Sequence, residues 1–208
     1  DGIDGCTADV AAGSCSLTPT VTGSRTLTAI YTGDNNFNGS SVSVQHLVKK
    51  ADTTTTITSH LPDPSVVGQE ILVSFRVTVN APGSGVPAGT VTISDGSSSC
   101  TATTSAAGCA LTPTTAGPLT LTAVYSGDNN FNGGSGTVPQ LVKKADTTTT
   151  ITSHSPDPSV VGQEVTVNFR VAVNSPGNGA PTGAVTISDG SSSCTARVAQ
   201  AGCALMPA

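Results

Sequence analysis

The chain has 208 residues, no Trp, one Met and only 10% charged residues, with a formal net charge of −5. Sparse acids and no basic patch give nucleic-acid binding no electrostatic basis. No stretch reaches the roughly 18–20 apolar residues a membrane-spanning helix needs, and no secretory leader is visible. The abundance of Thr, Ser, Gly and Val fits an extracellular all-β protein better than a cytosolic enzyme. The stretch LVKKADTTTTITSH stands at residues 47–60 and again at 141–154, an offset of 141 − 47 = 94. Self-similarity at one period marks a repeat array. Since 2 × 94 + 20 = 208, residues 1–50 are the C-terminal part of one module, 51–144 a complete module and 145–208 the N-terminal part of a third. Because the chain opens in mid-module, the lack of a leader does not argue against secretion.

In the first partial module, Cys6 and Cys15 form a C-x8-C pair that recurs as Cys100 and Cys109 and as Cys194 and Cys203. A zinc site would need a closer cysteine pair with a second pair or histidines. One pair per module, with no thiol left over, predicts the disulfides Cys6–Cys15, Cys100–Cys109 and Cys194–Cys203 in an oxidising compartment. Two reduced structural cysteines per copy are the alternative.

Further on, DNNFNG at 34–39 recurs at 128–133 and matches the opening of a calcium loop, in which oxygens at alternate positions face one ion. The candidate ligands are Asp34, Asn36 and Asn38 in one copy and Asp128, Asn130 and Asn132 in the other. The closing bidentate Glu is missing, its place taken by Gln45 and Pro139. An Asx-rich turn between the last two strands is therefore expected, with a weak calcium site as the alternative. Asn38-Gly39-Ser40 is a glycosylation sequon that the next copy lacks, so it reads as chance. Lys49-Lys50 and Lys143-Lys144 lie at module joints, where solvated side chains or ion pairs with Asp52 or Asp146 fit better than a buried isopeptide bond.

In the complete copy, residues 52–59 (DTTTTITS) read as a first strand and 60–69 (HLPDPSVVGQ) as a turn or edge kink. Residues 70–80 alternate, with Ile71, Val73, Phe75, Val77 and Val79 on one face and Leu72, Ser74, Arg76 and Thr78 on the other. Aligning 51–114 with 145–208 gives 48 identities in 64 positions, and Leu72 becomes Thr166 while the first face stays apolar; that face is the expected core. A loop follows at 81–89, then a strand at 90–94 with Val91 and Ile93 inward. Asp95-Gly96 turns the chain into a hairpin carrying Cys100 and Cys109. Residues 119–125 and 137–142 complete about seven strands, and the last runs through Lys143-Lys144-Ala145 into the next module with neither Gly nor Pro. The pattern predicts an antiparallel two-sheet sandwich.

The ordered set TTTTIT, PDPSVVGQ, PAGTVTISDG (PTGAVTISDG in the next copy) and LTAVYSGDNNF resembles bacterial Ig-like repeat domains of surface and secreted proteins. The resemblance implies tandem immunoglobulin-like sandwiches, with Tyr31 and Tyr125 placed as corner tyrosines and no catalytic residues. The C-x8-C pair departs from that family's usual pattern. His46, His60 and His154 lack a recurring nucleophile partner, and the few aromatics leave little surface for stacking sugars.

The expected function is a non-catalytic stalk, spacer or extracellular fibre of a bacterial cell-surface or secreted protein. Its expected partners are neighbouring modules and like chains in a fibre. The alternatives are an adhesin binding through its loops and a spacer attached to an enzymatic domain elsewhere. For the partial modules, a window cut from a longer repetitive chain is the simpler expectation. Head-to-tail completion between copies would carry the cysteine hairpin twice.

Overall fold

The computed structural model describes residues 1–206; the last two residues assigned to the third module, 207 and 208, lie outside them. Strands β1 (Gly23–Gly33) and β2 (Asn38–Val48) form an antiparallel hairpin ahead of the central repeat. The central repeat runs β3 (Thr53–Leu61), β4 (Ser65–Val66), β5 (Ile71–Val79), β6 (Thr90–Ser94), β7 (Ser99–Thr103), β8 (Gly108–Leu111), β9 (Gly117–Tyr125) and β10 (Gly134–Lys143). The third repeat follows with β11 (Thr147–Ser155), β12 (Val165–Val173), β13 (Ala184–Ser188), β14 (Ser193–Arg197) and β15 (Gly202–Leu205).

The central repeat closes into a sandwich. One sheet has the order β4-β10-β9-β6-β7 and the other β3-β5-β8. Period-2 alternation explains why these strands pack face to face: each presents one apolar row to the space between the sheets. Ile71, Val73 and Phe75 from β5 meet Val91 and Ile93 from β6 and Leu121, Ala123 and Tyr125 from β9, all buried. Val77 and Val79, nearer the end of the sandwich, pack against this cluster while half-buried. Leu72 on the other face is 60% exposed, which is why a threonine can replace it in the third repeat.

The Pro-rich segment 60–69 contains one strand more than expected. There Ser65 and Val66 pair in parallel with Val142 and Lys143, so the first strand switches sheets across this kink. The short disulfide loop also has a role that its spacing did not reveal. Although Cys100 and Cys109 are bonded, β7 pairs with β6 while β8 pairs with β5, so the cystine joins the two sheets at their edge. Cys6–Cys15 and Cys194–Cys203 are also bonded, each with Cα atoms 6.0 Å apart.

Residues 1–22 occupy the repeat phase of β7 and β8 but form no strand, only a 3₁₀ turn at Val10–Ala12. The reason is non-local. β7 and β8 form on β6 and β5, and residues 1–22 have no such strands beside them. Among the described residues, the third repeat forms the sheets β11-β12-β15 and β13-β14.

Replacing Cys100 and Cys109 together by Ser is expected to lower the stability of the central sandwich by about 2–3 kcal/mol, the loop-closure value for a roughly 10-residue loop. Denaturant unfolding of the full chain measures this, and an unchanged midpoint contradicts it.

Candidate functional site: the Asx turn and the joint

The DNNFNG turn at 128–133 connects β9 to β10, and its carboxylate is fully engaged. Asp128 Oδ1 accepts from the backbone N–H groups of Asn130 and Phe131, both at 2.8 Å. Its Oδ2 accepts from the Ala88 N–H at 2.7 Å and lies 3.2 Å from the Tyr125 hydroxyl. Tyr125 donates to the Ala88 carbonyl at 2.5 Å, 37 residues earlier in the chain, and Tyr31 donates to the Asp34 carboxylate, so neither makes the bond to nearby upstream backbone that the resemblance implied. One carboxylate thus ties the turn to the loop ahead of β6.

Titration behaviour follows from these contacts. Burial on its own would raise the Asp128 carboxyl, but the N–H donors of Ala88, Asn130 and Phe131 and the Tyr125 hydroxyl hold it below its ordinary value. The Tyr125 phenol is pushed up to about 12, first by burial and then by the neighbouring Asp128 charge. In the first copy, Asp34 accepts from Asn36, Phe37 and Tyr31, and these bonds lower its carboxyl. No loop covers that copy, however, so Phe37 is 67% exposed where Phe131 is 6% exposed.

The amides of the central turn face the joint rather than a common ion. Asn130 Oδ1 accepts from the Thr22 N–H at 3.2 Å, and its Nδ2 donates to the Thr20 carbonyl at 3.2 Å. Asn132 Nδ2 donates to Asp52 Oδ1 at 2.8 Å. Of the six calcium candidates, Asp128, Asn130 and Asn132 are therefore brought close in sequence but directed to three different partners, and a cation would have to displace backbone donors from Asp128.

Between β2 and β3 the chain is sewn onto this turn. Ala51 donates to the Asn130 carbonyl and accepts from the Asn132 N–H, both at 2.9 Å, forming a parallel bridge opposite Phe131. Thr53 Oγ1 donates to the Asn132 carbonyl at 2.8 Å, and Lys50 Nζ reaches the Asp128 carbonyl at 2.6 Å. The Ala51 methyl also sits on Gly83, where an added Cβ would come 2.4 Å from it. Gly177 meets Ala145 at the same 2.4 Å one repeat later.

Residues 53–143 match the bacterial Ig-like domain, group 3. This stretch is a bacterial Ig-like domain. No curated protein matches the chain. The match runs from the first residue of β3 to the last of β10, so the joint residues Lys50, Ala51 and Asp52 lie just outside the Ig-like domain while bonding to its turn.

Sequence reasoning missed Gln140. It is buried on β10, in a row with Val138 and Val142, and its Nε2 donates to the Pro62 carbonyl at 3.1 Å and to Ser65 Oγ at 3.3 Å. Its Oε1 is therefore the acceptor for His60, whose Nδ1 lies 2.8 Å away and carries the proton. A polar residue in an otherwise apolar alternating row was the available signal. His154, the repeat counterpart of His60, instead lies 4.0 Å from Asp157 at the exposed surface.

The signs of the two shifts set opposite pH windows. The depressed Asp128 contributes stability above its unfolded value of 3.8 that is lost as pH falls through its folded value. The raised Tyr125 contributes stability below 10.0 that is lost as pH rises towards about 12. Asp128→Asn should therefore cost about 1–3 kcal/mol at neutral pH, with the gap to wild type closing in strong acid. Tyr125→Phe should make the alkaline loss of stability shallower. Thermal melts across pH check both, and parallel wild-type and variant curves contradict them. Addition of millimolar calcium should leave the melting temperature in place, because both Asp128 oxygens and Asn130 Oδ1 already have donors.

Proposed function

We propose that this chain is a non-catalytic spacer segment of an extracytoplasmic protein, whose work is to hold what it connects at a fixed distance. The observation that carries this reading is the joint. Ala51 is bonded on both sides to the turn of the domain that follows, and no Gly or Pro stands between β2 and β3. A linker that adds hydrogen bonds to the next domain transmits orientation, whereas a Gly/Ser linker would not. The bonded cystines, one per repeat with no free cysteine, favour an oxidising compartment. The histidines support a structural role: His60 hydrogen-bonds Gln140, and His154 faces Asp157. Bacterial cell-surface or secreted stalks are the setting this chemistry fits, with neighbouring repeats as the partners.

Small-angle scattering of the full chain should report an elongated particle of roughly 90–120 Å, three units of about 30–40 Å laid end to end, unchanged by salt. A compact particle, or one sampling a wide range of bend angles, would overturn the spacer reading.

A further inference from the structure

At the second joint, a different part of the central domain touches the third repeat. The Asn178 N–H donates to the Val67 carbonyl at 3.1 Å. Gly68, at φ +78, lies so close that an added Cβ would fall 2.2 Å from the Asn178 carbonyl oxygen. Gly162, the same position one repeat later, has the same φ of +78 and nothing within 4 Å. The turn 66–68 is itself held from behind, since Val67 donates to the Lys143 carbonyl and Gly68 to the Pro113 carbonyl.

Asn178 belongs to the loop that packs on Ala145 through Gly177, and its repeat counterpart is Ser84, beside Gly83 and Ala51. At the first joint this loop forms one wall of an open cleft of about 690 Å³, lined by Thr20, Val21, Ala51, Ser84, Val86 and Phe131. Val86 on this wall is 89% exposed. The occupant at the second joint and the cleft at the first thus share one wall in the repeat frame.

We propose that the Val-Val-Gly turn of each repeat docks on the Pro-Gly loop of the repeat that follows, and that the cleft beside Ser84 receives this turn from a preceding repeat. A full joint then has two latches. One is the Thr20–Thr22 segment against the Asn129–Asn130 turn, with Thr22 Oγ1 donating to the Asn129 carbonyl at 2.8 Å. The other is the Val-Val-Gly turn against the Pro-Gly loop. The two contacts come from different parts of the preceding repeat, so together they restrain twist as well as bend. This deepens the spacer reading and rests on it.

Residue-resolved hydrogen exchange by NMR tests the proposal on the full chain. The Asn178 amide should exchange about 10-fold more slowly than an open loop amide. Gly68→Ala should abolish that protection, while Gly162→Ala, which introduces the same backbone strain, should leave it. Adding a second copy of residues 51–94 directly before Asp1 restores the repeat phase and should bring protection to the Ser84 amide. An unprotected Asn178 amide in the wild type, equal protection in Gly68→Ala, or an exposed Ser84 amide once the added strands are themselves protected would each overturn the latch. An elongated particle by scattering with an unprotected Asn178 amide would remove the latch and leave the spacer reading standing.

Discussion

The two backbone hydrogen bonds that Ala51 makes to Asn130 and Asn132 turn a string of domains into a continuous object. Together with the Thr20–Thr22 contacts to Asn129 and Asn130 and the Lys50 bond to the Asp128 carbonyl, they hold the four residues between Val48 and Thr53 against the turn. With them, Ala51 becomes a short parallel bridge of the following domain, opposite Phe131. The bond pair requires a turn that presents a carbonyl at residue 130 and an N–H at residue 132 in a fixed geometry. That geometry is the work of Asp128, whose two oxygens hold the turn from within and tie it to Ala88.

The rigidity of the joint is therefore inherited from the sandwich. Tyr125 is buried at the end of β9, and its hydroxyl meets both the Ala88 carbonyl and Asp128. Phe131 inserts between the turn and the covering loop, and becomes buried only where that loop is present. The first copy shows the consequence: Asp34 makes the same local bonds to Asn36 and Phe37, yet Phe37 stays exposed. Local chemistry forms the turn; the rest of the domain is needed to anchor it. At the opposite edge the Cys100–Cys109 bond joins the two sheets, which matters in a core whose only large aromatics are Phe75, Tyr125 and Phe131.

Much of this was legible in the amino-acid sequence because it is local. Alternation in 70–80 identified Ile71, Val73 and Phe75 as core and Leu72 as surface, and the cysteine spacing identified the bonded pairs. The Asx-rich composition of 128–133 indicated a turn. What escaped detection depends on pairing across long sequence distances. Nothing between residues 60 and 69 announces that Ser65 and Val66 will lie beside Val142. C-x8-C does not say that its ends belong to different sheets. Gln140 drew no notice because its partners, His60, Pro62 and Ser65, are more than 70 residues away. The partners of the Asx turn were equally hidden: the fold directs the amides of Asn130 and Asn132 to Thr20, Thr22 and Asp52.

The letter-for-letter identity of LVKKADTTTTITSH in its two copies then has a physical cause beyond shared descent. Ala51 and Ala145 each rest on a glycine, Gly83 and Gly177, where an added Cβ would come 2.4 Å from the alanine methyl. The Asp52 and Asp146 carbonyls accept from Asn80 and Asn174, and Thr53 donates into the following turn. The Asn80 and Asn174 bonds are main-chain and hold for any side chain, so the constraint on identity falls on the Ala51–Gly83 and Ala145–Gly177 contacts and on the Thr53 hydroxyl. The neighbouring loop positions 81, 84, 86 and 88 differ between the copies; at position 84 the counterpart Asn178 meets Val67 and Gly68 through main-chain atoms, which any side chain allows. A repeat array free to vary its outer faces but held at its joints is one in which the geometry between units is under tighter constraint than the surface of any unit. That distribution of constraint accords with the spacer role proposed above.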